Sequence, residues 1–320
     1  MTRLLIGGYT PDKGTGTGVT VVEDAEVTSI VPAESPSWIV RHPHLPVLYA
    51  VAETDNGGVT AWSLLDGVPA APLGAGETGG ADPCHLTVDP SGRFLVTVNY
   101  TGGSVAVHRL GDDGAIGSRT DLVQHTRTGE HPRQAAAHPH MVRADGGGIY
   151  VSDLGGDVIY RYHLDGDGQL ANEGVVHVEH GAGPRHFLRL GDRWLMTAEL
   201  MGRVYVFDAD WHPLGSVQAA RSPEENLISE LAVGGDGAYL YVANRGPDTV
   251  SVFALGGDLP RYVTEVPTGR WPRHIALDGE HLYVAAQLAD EVTTMRIDPA
   301  SGVPEPVDQV AVPSPTCVLP

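Results

Sequence analysis

The chain has 320 residues, 42% of them hydrophobic, and a formal net charge of −20 with a single lysine, Lys13. So acidic a surface excludes nucleic acid and an anionic membrane as partners, because both require a basic footprint; binding an anionic small molecule requires a local arginine cluster. No segment approaches the roughly 18 apolar residues of a membrane helix.

Residues 1–9 hold too short an apolar run for a signal peptide. The 41 Gly and 24 Pro are spread along the chain as turn punctuation. These features read as one soluble, cytoplasmic domain, 1–320, able to stand as a monomer. Cys84 and Cys317 read as free buried thiols.

One pattern recurs in chain order. A Pro or polar pair is followed by an apolar-alternating stretch, a turn, a Leu-Tyr-Val-like run, a polar residue with Gly or Asp, and a Val-x-Val-x run. Copies lie at 36–67, 83–114, 139–168, 183–211, 226–257 and 271–302. The equivalent first-strand positions are Trp38, His85, His140, His186, Glu230, His274 and Thr316, spaced 42 to 55 residues apart. Alternation by twos, as in Tyr239-Leu240-Tyr241-Val242-Ala243, specifies strands, and no segment shows helical periodicity.

Four short strands per unit at this spacing predict an all-β, seven-bladed β-propeller. The predicted blades cover approximately 36–82, 83–137, 138–182, 183–225, 226–270 and 271–315. The seventh is shared between 316–320 and 1–35, so that strands from both termini close the ring and leave no exposed edge.

In such a blade the start of the first strand and the end of the second lie at the same mouth of the channel. First-strand starts supply His85, His140, Arg185 with His186, Glu230, and Arg273 with His274. Second-strand ends supply Tyr9, Glu53, Asn99, Asp153, Glu199, Asn244 with Arg245, and Gln287. Five residue types over seven equivalent positions indicate distinct groups converging on a shared pocket rather than a repeated structural bond. Arg185, Arg245 and Arg273 would reverse the potential there and hold a carboxylate or phosphate. His138-x-His140 has metal-like spacing but no Cys or carboxylate close by, so neither metal nor cofactor is expected. His42-Pro43-His44 falls in a turn at the opposite mouth and reads as a solvated loop.

With these residues the chain resembles the seven-bladed lactonase family, which includes propeller-type 6-phosphogluconolactonases and fungal carboxy-muconate lactonizing enzymes. The resemblance is carried by Gly7-Gly8-Tyr9-Thr10, Pro83-Cys84-His85-Leu86, His138-Pro139-His140, Gly183-Pro184-Arg185-His186, Ser229-Glu230-Leu231, Asn244-Arg245-Gly246 and Pro272-Arg273-His274, in order along the whole chain. It implies lactone chemistry and a catalytic set of His140, Arg185, Glu199 and Arg245, with Arg273 competing for the role of Arg245.

On that footing the expected activity is hydrolysis of a sugar lactone of the 6-phosphogluconolactone kind. Glu199 or His140 is the base, Arg185 the oxyanion stabiliser, and Arg245 and Arg273 the grip on an anionic group. His85, Asn99, Asp153, His186, Glu230 and Gln287 complete the substrate contacts. Replacing Arg185 by Ala is expected to lower turnover by orders of magnitude without unfolding the ring. A carboxy-muconate cycloisomerase and a non-enzymatic binding propeller are the alternatives.

Overall fold

The computed structural model describes residues 2–320, so Met1, at the head of the shared blade, lies outside the described residues. The chain forms seven four-stranded antiparallel sheets, six of them built from four consecutive strands. The seventh joins Pro315–Leu319 to Arg3–Gly8, Gly18–Glu23 and Glu26–Pro32. The only helical element among the described residues is a single 3-10 turn, Pro132–Gln134. No helix among them is long and apolar enough to cross a membrane.

Burial falls from the inside of each blade outward. Phe94–Asn99, a second strand, is buried at every residue. Glu26–Pro32, an outermost strand, is exposed at all but one. The inner strands therefore carry near-continuous Val, Leu and Tyr, and neighbouring sheets pack face to face through them. Phe94, Val96, Val98 and Val107 of one blade meet Val142, Ile149, Val151 and Tyr160 of the next. Cys84 and Cys317 are free and buried.

The first strands share one irregularity. In six blades the ladder slips where the strand begins, with one more residue on the first strand than on its partner. The slips fall at Cys84, His140, Arg185–His186, Ser229–Glu230, Arg273 and Thr316. Each is a β-bulge, which breaks the in-out alternation and re-aims side chains. Pro83, Pro139, Pro184, Pro272 and Pro315 start five of these strands, where the missing N–H does no harm to the ladder.

Strand Arg3–Gly8 approaches the next blade closely. A Cβ on Gly7 would lie 2.1 Å from the Pro36 carbonyl oxygen, which is backbone and cannot swing aside. Gly7→Ala is therefore expected to cost about 1–3 kcal/mol, the usual range for overpacking. The shift of the urea unfolding midpoint measures it, and an unmoved midpoint would mean that the blade contact yields freely.

Candidate active site

The bulges and second-strand ends enclose a cavity of about 270 Å³. Among its lining residues are His140, Glu199, Arg245 and Arg273, together with Tyr9, Glu53, Asp82, Tyr100 and Arg133.

Glu199 is the electrostatic centre of one wall. Its Oε2 lies 2.9 Å from Arg245 Nη2 and 3.0 Å from Arg185 Nε. Its Oε1 accepts a 2.6 Å hydrogen bond from Arg133 Nη1. Burial would raise the Glu199 pKa, but the three guanidiniums outweigh it and bring the carboxyl down to about 2. A carboxylate held this way is an anchor and a poor base.

Arg185 sits behind this wall. Its side chain is 3% exposed and is absent from the cavity lining, and its Nη1 donates to the Ser229 carbonyl. The expectation that Arg185 meets the oxyanion is corrected accordingly: it positions Glu199. Removing it would leave a buried carboxylate short of a partner, so Arg185→Ala would also weaken the ring. Arg245 does face the cavity, fixed by donation from Nε to the Leu227 carbonyl at 2.8 Å. Burial, with Arg185 and Arg273 nearby, pulls its pKa down to about 9 against the pull of Glu199. The guanidinium is still protonated at pH 7.

The opposite wall is a chain of polar contacts. Arg273 Nη2 and the Tyr9 hydroxyl lie 2.6 Å apart, and Tyr9 donates to Glu53 Oε1 at 2.7 Å. Lys13 Nζ is 3.5 Å from Glu53 Oε1 and bonds Asp82 Oδ1, while Thr101 donates to Asp82 Oδ2. Lys13 and Arg273 there balance Glu53 and Asp82. On the Glu199 side three arginines face one carboxylate. The positive surplus of the cavity therefore sits around Arg133 and Arg245, inside a protein whose net charge is −20.

His140 joins the two walls. It is 7% exposed, and no protein hydrogen bond holds either ring nitrogen among the described residues. Burial, with Arg185, His186, Arg273 and Arg245 nearby, holds its pKa well below the ordinary value of 6.5. It is a neutral imidazole at pH 7.

The remaining predicted residues fall elsewhere. His85 stacks on Trp38 at 4.1 Å, and His186 and His274 meet the same indole edge-on. Glu230 bonds His186 Nδ1 at 2.7 Å and lies 3.6 Å from His274 Nε2. This buried cluster adjoins His140 through His186, at 5.2 Å between ring centroids, but does not line the cavity.

Asp153 is consumed by structure, since it pairs with His125 Nδ1 at 2.9 Å and accepts from the backbone of His138, Gly155 and Gly156. Asn99 Nδ2 donates to Ser104 within its own blade. Gln287 lies at a strand end outside the lining, half-buried. The structure thus gives Asp153, Asn99 and Gln287 no contact with the cavity. His138 is occupied at Nδ1 by the Tyr100 carbonyl, 2.9 Å away. His42 is buried rather than solvated, with Nε2 against the Gly92 carbonyl and Nδ1 accepting from His44 and Leu45 amides.

Sequence reasoning missed Arg133, Tyr100 and Asp82, and it read Tyr9 and Glu53 as pocket positions without giving them a part in the chemistry. For Arg133 one signal was present: the step from His85 to His140 is 55 residues, the longest in the chain.

The family described as "Lactonase, 7-bladed beta-propeller" matches residues 3–320. The 6-phosphogluconolactonase of Bacillus subtilis (strain 168) is 31% identical over 270 residues, which cover 79% of this chain and 76% of that one. A 6-phosphogluconolactonase of Formosa agariphila is 27% identical over 333 residues, 93% of each chain. Among solved structures, the periplasmic gluconolactonase of Pseudomonas aeruginosa superposes with a TM-score of 0.91 at 26% identity, over 99% of this chain and 98% of that one. Seven four-stranded blades closed by both termini agree with a match running from Arg3 to the last residue, and the chain belongs to the seven-bladed β-propeller lactonase family.

Proposed function

We propose that this protein is a lactonase that hydrolyses a sugar lactone of the 6-phosphogluconolactone kind, with His140 as general base and Arg245 as the main oxyanion stabiliser. The observation that carries the reading is the pairing, in one cavity, of a neutral imidazole free of protein hydrogen bonds with a surplus of guanidinium charge.

His140 takes a proton from a water as its oxygen attacks the lactone carbonyl carbon. Negative charge develops on the carbonyl oxygen beside Arg245, whose donors are already oriented by Glu199 and the Leu227 carbonyl. Collapse breaks the bond from carbonyl carbon to ring oxygen, and that oxygen recovers the proton from His140, leaving an open-chain hydroxy acid. Arg273 and the Tyr9, Glu53 and Asp82 group face the sugar hydroxyls.

The test is pH-stat hydrolysis of 6-phosphogluconolactone and unphosphorylated glucono-δ-lactone. Acceleration of at least one is expected, and His140→Ala should lower kcat by about 10²–10⁴-fold, the usual worth of general base catalysis. Because the His140 pKa is depressed, the neutral form persists below pH 6.5, and the acid limb of kcat/KM should fall under that value. No acceleration of either lactone by the wild-type protein would overturn the reading.

A further inference from the structure

Arg133 stands apart from every other cation of the cavity in how it arrives there. It belongs to none of the blade strands. The connection between Ile116–Gln124 and Pro139–Asp145 carries it on the 3-10 turn Pro132–Gln134. That turn is held at several points. His131 caps it, and Gln134 returns the bond to the His131 amide, a reciprocal capping box. The Gln134 side chain is fully buried, with Nε2 donating to the Leu154 carbonyl at 2.8 Å and to Asp157 Oδ1 at 2.6 Å. At the start of the connection His125 is fixed between Asp153 and the Tyr162 hydroxyl. Between these anchors the Arg133 side chain stays 40% exposed at the cavity mouth.

Its charge is not needed to neutralise Glu199. Oε2 of that carboxylate already has Arg185 and Arg245, which are 3% and 6% exposed. Arg133 adds the bond to Oε1, and its Nη2 makes a long 3.3 Å bond to the Tyr100 hydroxyl. Of the three guanidiniums around Glu199 it is the one that solvent, and hence an incoming ligand, reaches first. A planar fork of five donors, two of them engaged with the protein, suits a phosphate arriving from outside. The wall opposite, with Glu53 and Asp82 already paired to Lys13 and Tyr9, has no such excess.

We propose that Arg133 is a specificity-determining residue, a clamp at the cavity mouth that binds the phosphate of a phosphorylated sugar lactone while the lactone carbonyl lies inward beside His140 and Arg245. The inference rests on the lactonase reading and deepens it by assigning the anionic substituent a residue. The clamp acts in binding and leaves the hydrolytic step to the groups within.

The experiment compares Arg133→Gln and Arg133→Lys with the wild type on 6-phosphogluconolactone and glucono-δ-lactone, and measures thermal stabilisation by the products 6-phosphogluconate and gluconate. In Arg133→Gln the ratio of kcat/KM for phosphorylated over unphosphorylated lactone should fall by about 10- to 100-fold, the worth of a charge-assisted hydrogen bond. Any loss on the unphosphorylated lactone should be smaller than the loss on the phosphorylated one by that factor, and Arg133→Lys should restore part of the preference. An unchanged ratio, or equal losses on both lactones, would overturn the clamp, because a merely structural role through Glu199 affects both alike. If the wild type hydrolyses neither lactone, the enzymatic reading fails by itself. The clamp then stands if 6-phosphogluconate stabilises the wild type more than Arg133→Gln, and falls if it stabilises both equally.

Discussion

Deleting residues 316–320 is expected to abolish the cooperative fold. The strand Pro315–Leu319 is the innermost strand of the shared blade and pairs with Arg3–Gly8, from Leu5 opposite Leu319 to Gly8 opposite Pro315. Its side chains fill two separate interfaces. Val318 packs with Leu4, Ile6, Tyr283 and Val292 toward the preceding blade. Cys317 packs with Leu5, Val19, Ile39 and Leu48 toward the following one. Thr316 Oγ1 donates to the Ser37 carbonyl at 2.9 Å, and Arg41 reaches the carbonyl of Pro320.

Burial of each large side chain is worth about 1.5–3 kcal/mol, and each ladder bond adds about 1 kcal/mol. Together these approach the whole stability of a typical domain, about 5–15 kcal/mol. Opening the ring also bares the edge of Arg3–Gly8, a template for association. Circular dichroism and gel filtration of the truncated chain should show loss of the thermal transition and aggregation. A truncated protein with a sharp transition within a few degrees of wild type would show that six blades hold without closure.

The blade pattern was legible because alternation by twos is local: Tyr239-Leu240-Tyr241-Val242 reads as a strand whatever surrounds it. The site was only partly legible, for two physical reasons. First, equivalent repeat positions have different neighbours. Asp153 and Glu199 both end second strands, yet Asp153 is filled by His125 and three backbone amides while Glu199 meets three guanidiniums. Little within the repeat foretells which, because apart from Arg185 the charged partners come from another blade or a loop. Second, the bulges displace alternation at the residues that matter. Arg185 and His186 together oppose the single Thr197, so strict in-out counting would have turned one of them away from the interior. Arg133 escaped altogether because it lies outside the repeat, in the one step long enough to hold an excursion.

The second large effect is expected from Glu199→Gln. The substitution keeps the shape and removes the charge, leaving Arg133, Arg185 and Arg245 without their shared anion. Breaking a buried ionic group on one side costs about 3–5 kcal/mol, and turnover should fall by at least about 10²-fold, because Arg245 loses the contact that orients it. The pH dependence isolates this carboxylate from the protein's other acids. Its folded pKa, about 2, lies below the ordinary 4.5, so its stabilisation is fully present above 4.5 and fades as pH falls toward 2. A shift of that size corresponds to about 3 kcal/mol. The gap in unfolding free energy between wild type and Glu199→Gln should therefore be widest near pH 7 and narrow as pH drops through that window, whatever the remaining acids do, since both proteins share them. Urea titrations at several pH values from 7 to 2.5 measure the gap directly. A gap that stays constant across the window would mean that Glu199 is not held as an anion by its arginines, and the electrostatic account of the cavity would fall with it.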